Sequence, residues 1–526
     1  MKILVSDNLE QSCIDILMTE GFEVDHKPGL SIAELNNIIG AYDGLVVRSA
    51  TRVTPEVIGH ASVLKVIGRA GTGVDNIDVD AATRRGILVM NTPGGNTVSA
   101  AEHTVSMLLA LARNIPQAHM SLLRGEWDRK RFTGTEVFEK TIGIVGLGKI
   151  GREVATRCQG LGMKVIGYDP VLGNEVAFKL NIQLVSLDEV YRRSDFITVH
   201  TPLTDETRGL LNDTTLTKCK RGVRIINCAR GGIVDEKALL RSIESGHVAG
   251  AALDVFEDEP PKGSPVLKHE RVIATPHLGA STEEAQEKVA IQIAHQVADA
   301  LKGRGYAGLV NGAALQLTMN PEIRPFMTLA ERMGSLAAQM TTGKLTNISV
   351  GTSGDLLNNS FELMKSCILK GLLSHVIPEP VNFINAPMLS VEMGLTVNDQ
   401  RDPEKGSFTN LLRLRYTTDQ EAKEVAGTVF GASAIRLVKL DRFHFEVNPE
   451  GYLLVYTNID RPGMLARVGS ILAKHNVNIA GVSLGRATVG GTALTVMNVD
   501  GDIPGEAMDE LLRQDGVSEL KKVHLA

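Results

Sequence analysis

Thirteen histidines give this chain of 526 residues many groups that can move a proton near neutral pH. Most lie in helical or loop patterns. Two follow short apolar runs of strand character, His200 in ITVHTP and His277 in IATPHLG. Residues just beyond the carboxyl ends of parallel strands are where ligands meet an open α/β sheet. A lone histidine in that place is more often structural, so its companions decide. Glu259, in DVFEDEPP, follows another apolar run, and a carboxylate there can orient an imidazole and stabilise its protonated form. Arg230, in NCARGG, follows a third, and its planar fork suits the carboxylate of a 2-hydroxy acid. Taken singly, Glu257, Asp258 and Glu259 read as a solvated acidic loop and Arg230 as a surface cation. Together they supply a base, its partner and a substrate clamp. That set oxidises a hydroxyl to a ketone, provided something accepts a hydride.

The acceptor has its own signature. Gly146-Leu147-Gly148-Lys149-Ile150-Gly151 follows the run TIGIV and opens a helical pattern. In this spacing Gly146 permits a tight turn, Gly148 lets backbone approach a pyrophosphate, and Gly151 allows close packing of helix on strand. The helix N-terminus then presents N–H groups and a positive dipole end to the phosphates. Such a motif alone is weak evidence. Here the next run, KVIGYD, ends in Asp169, where a carboxylate accepts hydrogen bonds from the adenine ribose. It also repels a 2'-phosphate, so NAD is expected over NADP.

These residues need a scaffold of strands. KILVSD, GLVVRS, VIGRAG and ILVMNT form one series of apolar runs, and TIGIVGLG, KVIGYD, FITVHTP, RIINCAR, AALDVF and VIATPHLG form a second. Runs apolar on both faces belong in covered parallel sheets, so the expectation is two doubly wound α/β domains with a cleft between them. A helix over 99–114, apolar nearly all round, points to burial between domains or subunits. A second helix over 281–302 carries one apolar stripe and is expected to lead the chain back to the first domain. The expected organisation is a discontinuous substrate-binding domain over 1–98 and 285–311, an NAD-binding Rossmann domain over 99–284, an intervening α/β domain over 312–450, and a β-α-β-β-α-β ferredoxin-like domain over 451–526. A formal charge of −6 argues against a nucleic-acid surface. Five scattered cysteines, with no CxxC pair and no histidine at metal spacing, fit a reducing compartment and give no metal site. No run approaches the roughly 18 apolar residues of a membrane helix, so a cytoplasmic location is expected.

VGLGKIGREVA, INCARGGIVDEKAL, AALDVFEDEPP and TPHLGAST resemble the signature stretches of the D-isomer-specific 2-hydroxyacid dehydrogenases, in the family order Arg, Glu, His. The likeness runs upstream through VVRSAT, GRAGTGVDN and NTPGGNTVSAAEHT, and so covers residues 1–311. It implies that His277 is the acid/base, Glu259 its partner and Arg230 the clamp. It implies NAD contacts at Lys149, Ile150 and Asp169 beside the glycine turn, and at Thr72, Thr201, Cys228, Ala229, Arg230, Asp254, His277 and Gly279. It also implies that the Ala70–Gly71 turn meets the substrate carboxylate, that Arg48 and Arg69 are candidates for a substrate phosphate, and that Arg129, Lys130 and Arg131 reach a neighbouring subunit's site. The tail resembles the long, phosphoglycerate-oxidising branch of the family, with an intervening domain and then an ACT domain whose stretch here is NIDRPGMLARVGSILAKHNVNIAGVSLGR. That resemblance implies 3-phosphoglycerate as substrate and matches Asp460 and Asn478 to family positions associated with serine; because Asn458 stands where some members have histidine, L-serine is expected as effector as a hypothesis and not as a carry-over. The apolar helix over 99–114 and an open edge of the ACT sheet favour self-association, with a homotetramer expected. Asp460 reads equally well as a helix N-cap. The alternatives are a glyoxylate or hydroxypyruvate reductase, and a non-catalytic NAD-sensing protein on the same scaffold.

Overall fold

The computed structural model describes residues 1–402 and 407–525. Its first sheet holds five parallel strands, Lys2–Val5, Glu23–His26, Gly44–Val47, Val66–Arg69 and Leu88–Asn91, in spatial order 2-1-3-4-5. GLVV over Gly44–Val47 is buried at all four positions, as a central strand covered on both faces must be. The strand Glu23–His26 escapes detection in the sequence. It is an edge strand with no fully buried residue, so its polar letters EVDH carry no apolar run to detect.

The second sheet has seven parallel strands: Thr141–Val145, Lys164–Tyr168, Gln183–Leu184, Phe196–Val199, Val223–Asn227, Val248–Leu253 and Val272–Ala274, in spatial order 7-6-5-4-1-2-3. The order reverses between its first and fourth strands, which is where a doubly wound sheet opens a crevice. The helix Thr97–Arg113 packs on this sheet through Ala101, Met107, Leu108 and Leu111. The helix Glu283–Leu301 instead returns to the first sheet. Its Val289, Ala290, Ile293, Ala294, Val297 and Ala298 share a core with Ile3, Val5, Val46 and Val66. A Cβ on Gly68 would press into Val297 and Ile293, so the bare glycine brings that helix close to the sheet.

Beyond residue 311 the sheet Leu345–Ser353, Thr396–Asp402, Leu411–Thr418, Ala422–Phe430, Ala434–Leu440 and Phe443–Val447 has order 2-1-3-4-5-6, antiparallel except for its first pair. Helices Arg324–Met340 and Phe361–Leu373 build the core beside it. The last unit is β-α-β-β-α-β, with strands Gly451–Ile459, Ile479–Arg486, Thr492–Val499 and Val517–Leu525 in order 2-3-1-4 and helices Met464–Lys474 and Gly505–Leu512. One face of this sheet, through Leu453, Val455, Leu494 and Val523, joins the core of the preceding unit. Its outer strand Val517–Leu525 is met by Gln339, which donates to the His524 carbonyl at 2.8 Å and accepts from the His524 N–H at 2.9 Å.

Candidate active site

His277 stands three residues past the strand Val272–Ala274 and carries a left-handed backbone, φ +56°. That conformation costs a β-carbon residue on the order of 1–3 kcal/mol, so the surroundings must hold it. Asp254, at the end of Val248–Leu253 and fully buried, does so. Its carbonyl accepts the His277 N–H at 2.9 Å, and its carboxylate accepts the N–H groups of Leu278 at 2.7 Å and Gly279 at 2.9 Å. Thr275 Oγ1 donates to the same carboxylate at 2.6 Å, and His103 Nε2 lies 3.1 Å from it. Burial works against the charge on Asp254, but these bonds outweigh it and hold its pKa below the ordinary value.

The side chain of His277 places Nδ1 2.8 Å from Glu259 Oε2. Glu259 Oε1 accepts the Phe256 N–H at 3.1 Å, which fixes the carboxylate. The hydrogen bond to Glu259 raises the His277 pKa above the ordinary histidine value, more than partial burial lowers it. In Glu259 burial raises the pKa, yet the bond from His277 prevails and the net direction is down. The pair is half open to solvent, at 51% and 38% side-chain exposure, as a group that must meet a ligand has to be. His200 differs. Burial pushes it down to about 4, so it stays neutral, and its Nε2 bonds Thr198 Oγ1 at 3.0 Å.

A cavity of about 870 Å³ opens beside this pair, lined by Arg48, Arg69, Asn96, Glu259 and His277 among others. Arg69 ends the strand Val66–Arg69, and its guanidinium lies against Gly71, where a Cβ would collide with it. The Arg69 Nε is buried without a hydrogen-bond partner. Burial lowers its pKa to about 10, with Arg230 and Arg48 pushing the same way, so the group remains a cation at neutral pH. Asp7, past the first strand, accepts the N–H groups of Arg48, Ala50 and Thr51 and so shapes the turn that carries Arg48. The N–H groups of Ala70 and Gly71 are already bonded, to the Val47 carbonyl and to Thr92 Oγ1, both at 2.8 Å. The expected backbone contact to a carboxylate at that turn therefore competes with existing bonds. Arg230, past Val223–Asn227, donates from Nη1 to the Ala229 carbonyl at 2.7 Å and sets Nε 3.2 Å from Asp75 Oδ2.

The glycine turn fits a dinucleotide. Gly146 has φ +92°, and a Cβ there would meet the His200 carbonyl, while a Cβ on Gly151 would strike the Gly146 carbonyl. A Cβ on Gly148 would meet nothing within 4 Å, so open space lies at the N-terminus of the helix Lys149–Gly160. Thr201 Oγ1, next to the turn, is buried without a partner, as a group awaiting a ligand oxygen would be. Asp169 accepts the Leu147 N–H at 2.7 Å and those of Val171 and Leu172 at 2.8 and 2.9 Å. Burial opposes its charge, but these three donors keep it ionised, so the carboxylate faces the turn as an acceptor. Thr72 Oγ1 donates to Asn96 at 2.8 Å, and Lys149 Nζ reaches the Pro93 carbonyl at 3.3 Å, so Lys149 ties the two lobes together. Ala229 donates its N–H to Asn227, and burial pushes the Cys228 thiol up to about 12, so it is no thiolate.

The other expected ligand residues are not brought together. Arg131 pairs with Glu270, just before the strand Val272–Ala274 and so at the end away from the cleft; Arg129 and Lys130 are exposed beside it. Asn458 is buried, donating to the Ile459 carbonyl and accepting from Thr495. Asp460 pairs with Arg486 and accepts the Gly490 N–H, while the N-cap of the helix Met464–Lys474 is Gly463; the N-cap reading of Asp460 is corrected. Asn478 bonds Asp500 beyond the far end of that helix, about 16 Å away at the usual rise per residue. Sequence reasoning misses Asp7, Asn96, Asp75 and His103. Asp7 closes the run KILVSD and is open to the same strand-end argument, whereas the others lie in loops or a helix with no such signal.

Known proteins resemble this chain over three of its units. Residues 105–279 match the D-isomer specific 2-hydroxyacid dehydrogenase NAD binding domain, residues 322–441 the D-3-phosphoglycerate dehydrogenase intervening domain, and residues 452–516 the ACT domain. The chain belongs to the D-isomer specific 2-hydroxyacid dehydrogenase family. Its full-length relatives carry the narrower name D-3-phosphoglycerate dehydrogenase. That of Synechocystis sp. is 44% identical over all of this chain and 95% of the relative, and that of Archaeoglobus fulgidus is 41% identical over the whole of both. The enzyme of Sus scrofa is 51% identical over 76% of each chain. Among solved structures, a glyoxylate reductase from Paecilomyes thermophila matches with TM-score 0.55 and 29% identity, covering 60% of this chain and 99% of its own. The chain is therefore an NAD-dependent oxidoreductase by family. No helix among the described residues is long and apolar enough to cross a membrane.

Proposed function

We propose that this chain oxidises 3-phospho-D-glycerate to 3-phosphohydroxypyruvate with NAD, the first step of phosphorylated L-serine biosynthesis. The observation that carries the reading is the His277–Glu259 pair on the wall of a cavity that also holds Arg48 and Arg69. The full-length relatives support the phosphorylated substrate.

In this reading Arg230 takes the substrate carboxylate, and Arg69 and Arg48 take the phosphate. An ionised Glu259 can only accept, so His277 donates from Nδ1 and presents the lone pair of Nε2 to the C2 hydroxyl. His277 removes that proton, and Glu259 stabilises the imidazolium that forms. NAD, when bound by the Gly146–Gly151 turn, Asp169, Thr201, Thr72, Cys228 and Gly279, supplies the hydride acceptor. Asp254 keeps the turn at His277 in place. The lobes over 1–98 with 285–311 and over 99–284 move against each other and exclude water from the cleft.

The units over 312–450 and 451–526 are regulatory in this reading, with L-serine as effector. Exposed Met120, Leu122, Leu123 and Trp127, and on the last unit Val482 and Leu484, support self-association into a tetramer. Arg129 and Lys130 then serve a neighbouring site. The location is cytoplasmic. The test is NADH formation from NAD with 3-phosphoglycerate against D-glycerate, with and without L-serine. Turnover of the phosphorylated acid supports the reading; turnover of unphosphorylated acids alone overturns it.

A further inference from the structure

We propose that Glu236 is a positioning residue for the reaction: its carboxylate pins the loop over 256–264 from outside and so holds Glu259 against His277. The proposal rests on the reading of His277 and Glu259 as the acid/base pair.

The loop leaves the strand Val248–Leu253 and leads towards the strand Val272–Ala274. Phe256 and Val266 tie its two ends into the core of the second sheet, which they share with Ala238, Leu239 and Ile243. Between these ends the chain has little apolar weight. Glu257, Asp258 and Glu259 are three successive solvent-facing carboxylates that repel one another. The bond from the Phe256 N–H to Glu259 Oε1 fixes that side chain only to its own loop. A group outside the loop must set it against the sheet.

Glu236 is that group. It opens the helix Glu236–Glu244, whose N-cap Asp235 accepts the N–H groups of Lys237 and Ala238, both at 2.9 Å, and so anchors the first turn. Glu236 Oε1 accepts the Glu257 N–H at 2.8 Å, and Oε2 accepts the Ser264 hydroxyl at 3.1 Å. One carboxylate therefore spans the loop from 257 to 264, with Glu259 inside the span. The same helix follows Arg230 by way of Gly231, where a Cβ would collide with the Phe256 carbonyl and the Glu257 nitrogen. The connection that carries Arg230 and the loop that carries Glu259 thus lie in contact, and Glu236 closes that contact.

Without Glu236 both ends of the span are freed at once. Glu259 then leaves Nδ1 of His277, and the imidazole loses the carboxylate that orients it and stabilises its charge. The groups read as holding substrate and NAD lie elsewhere, on Arg230, Arg48, Arg69 and the glycine turn. The loss therefore falls on the chemical step and not on binding.

The test is steady-state kinetics against pH. Glu236→Ala should lower kcat about tenfold and leave KM for NAD and for 3-phosphoglycerate within about twofold. The acid limb of kcat/KM should move to lower pH, in the direction expected of Glu259→Gln. Glu236→Gln should restore both, because its amide oxygen can accept the Glu257 N–H while its nitrogen donates to the Ser264 hydroxyl. Ser264→Ala removes one of the two contacts and disturbs folding least; it should move the limb the same way by a smaller step. A limb that keeps its wild-type position in Glu236→Ala and Ser264→Ala, whatever the thermal midpoint does, makes Glu236 a mere support and overturns the proposal. Glu259→Gln is the control. If it too leaves the limb in place, the acid/base reading fails; if it moves the limb and the other variants do not, the proposal alone fails.

Discussion

In the cleft, His277, Glu259 and Arg230 converge from three strand ends of one sheet, and Arg48 and Arg69 face them from another. In the ACT unit, Asn458, Asp460 and Asn478 each turn to a neighbour inside that unit, Thr495, Arg486 and Asp500. The cleft also holds buried polar atoms without partners, Arg69 Nε and Thr201 Oγ1. Such groups are costly and rare, and persist where a ligand completes them. The contrast teaches that the cleft gathers its expected residues from two sheets within one chain. The expected effector residues are each satisfied by a neighbour within their own unit.

The comparison is tested hardest at His277. His277→Ala should lower kcat by about two orders of magnitude or more, the usual scale for a lost acid/base, while leaving NAD affinity by fluorescence titration nearly intact. A variant with near-normal turnover would sink the catalytic half of the contrast. Glu259→Gln should cost about ten- to a hundredfold and also move the pH profile. Oxidation needs neutral His277, so activity is present above its pKa and lost as pH falls through it. The wild-type acid limb should lie above the ordinary histidine value, because Glu259 raises the His277 pKa. Without the carboxylate the limb should shift to lower pH. A limb that does not move would mean that another group titrates.

The carboxyl-edge rule explains how much of this site was legible in the sequence. Strand ends marked by apolar runs betray Arg230, Glu259 and His277, because a covered parallel strand must be apolar and the residues just past its carboxyl end must face the crevice, whereas Asp254 entered only through the family resemblance. The glycine turn and Asp169 were equally plain. Asp75 and His103 were not, since one sits in a loop between strand and helix and the other on a helix side, and their partners are 155 and 151 residues away in the chain. The intervening sheet was legible only in part: TVFGASAIRLVKL reads as two strand candidates parted by a glycine, which catch the end of Ala422–Phe430 and the whole of Ala434–Leu440. Its Thr396–Asp402 strand, TVNDQRD, is almost wholly polar. The internal bonds of Asn458 and Asp460 were beyond sequence, because a residue's type and its place in a motif do not tell whether its side chain turns inward.

Smaller effects sharpen the contrast. Asp169→Ala should raise the KM for NAD at least about tenfold and that for NADP far less, since the carboxylate both accepts ribose hydroxyls and repels a 2'-phosphate. An unchanged preference would remove Asp169 from the cofactor site. In the ACT unit, Asn458→Ala leaves the buried Thr495 hydroxyl without its acceptor, a loss of about 1–3 kcal/mol that lowers the thermal midpoint but not the dehydrogenase kcat. Asn478→Ala should move stability by roughly 0.5 kcal/mol or less, because the residue is exposed. Its serine response is the informative quantity. If an effector is held between copies, this variant loses inhibition by L-serine at unchanged thermal midpoint, and wild-type inhibition weakens on dilution below the association threshold. If inhibition survives both the substitution and the dilution, the effector site is complete within one chain, and the contrast between the two regions fails at its ACT end.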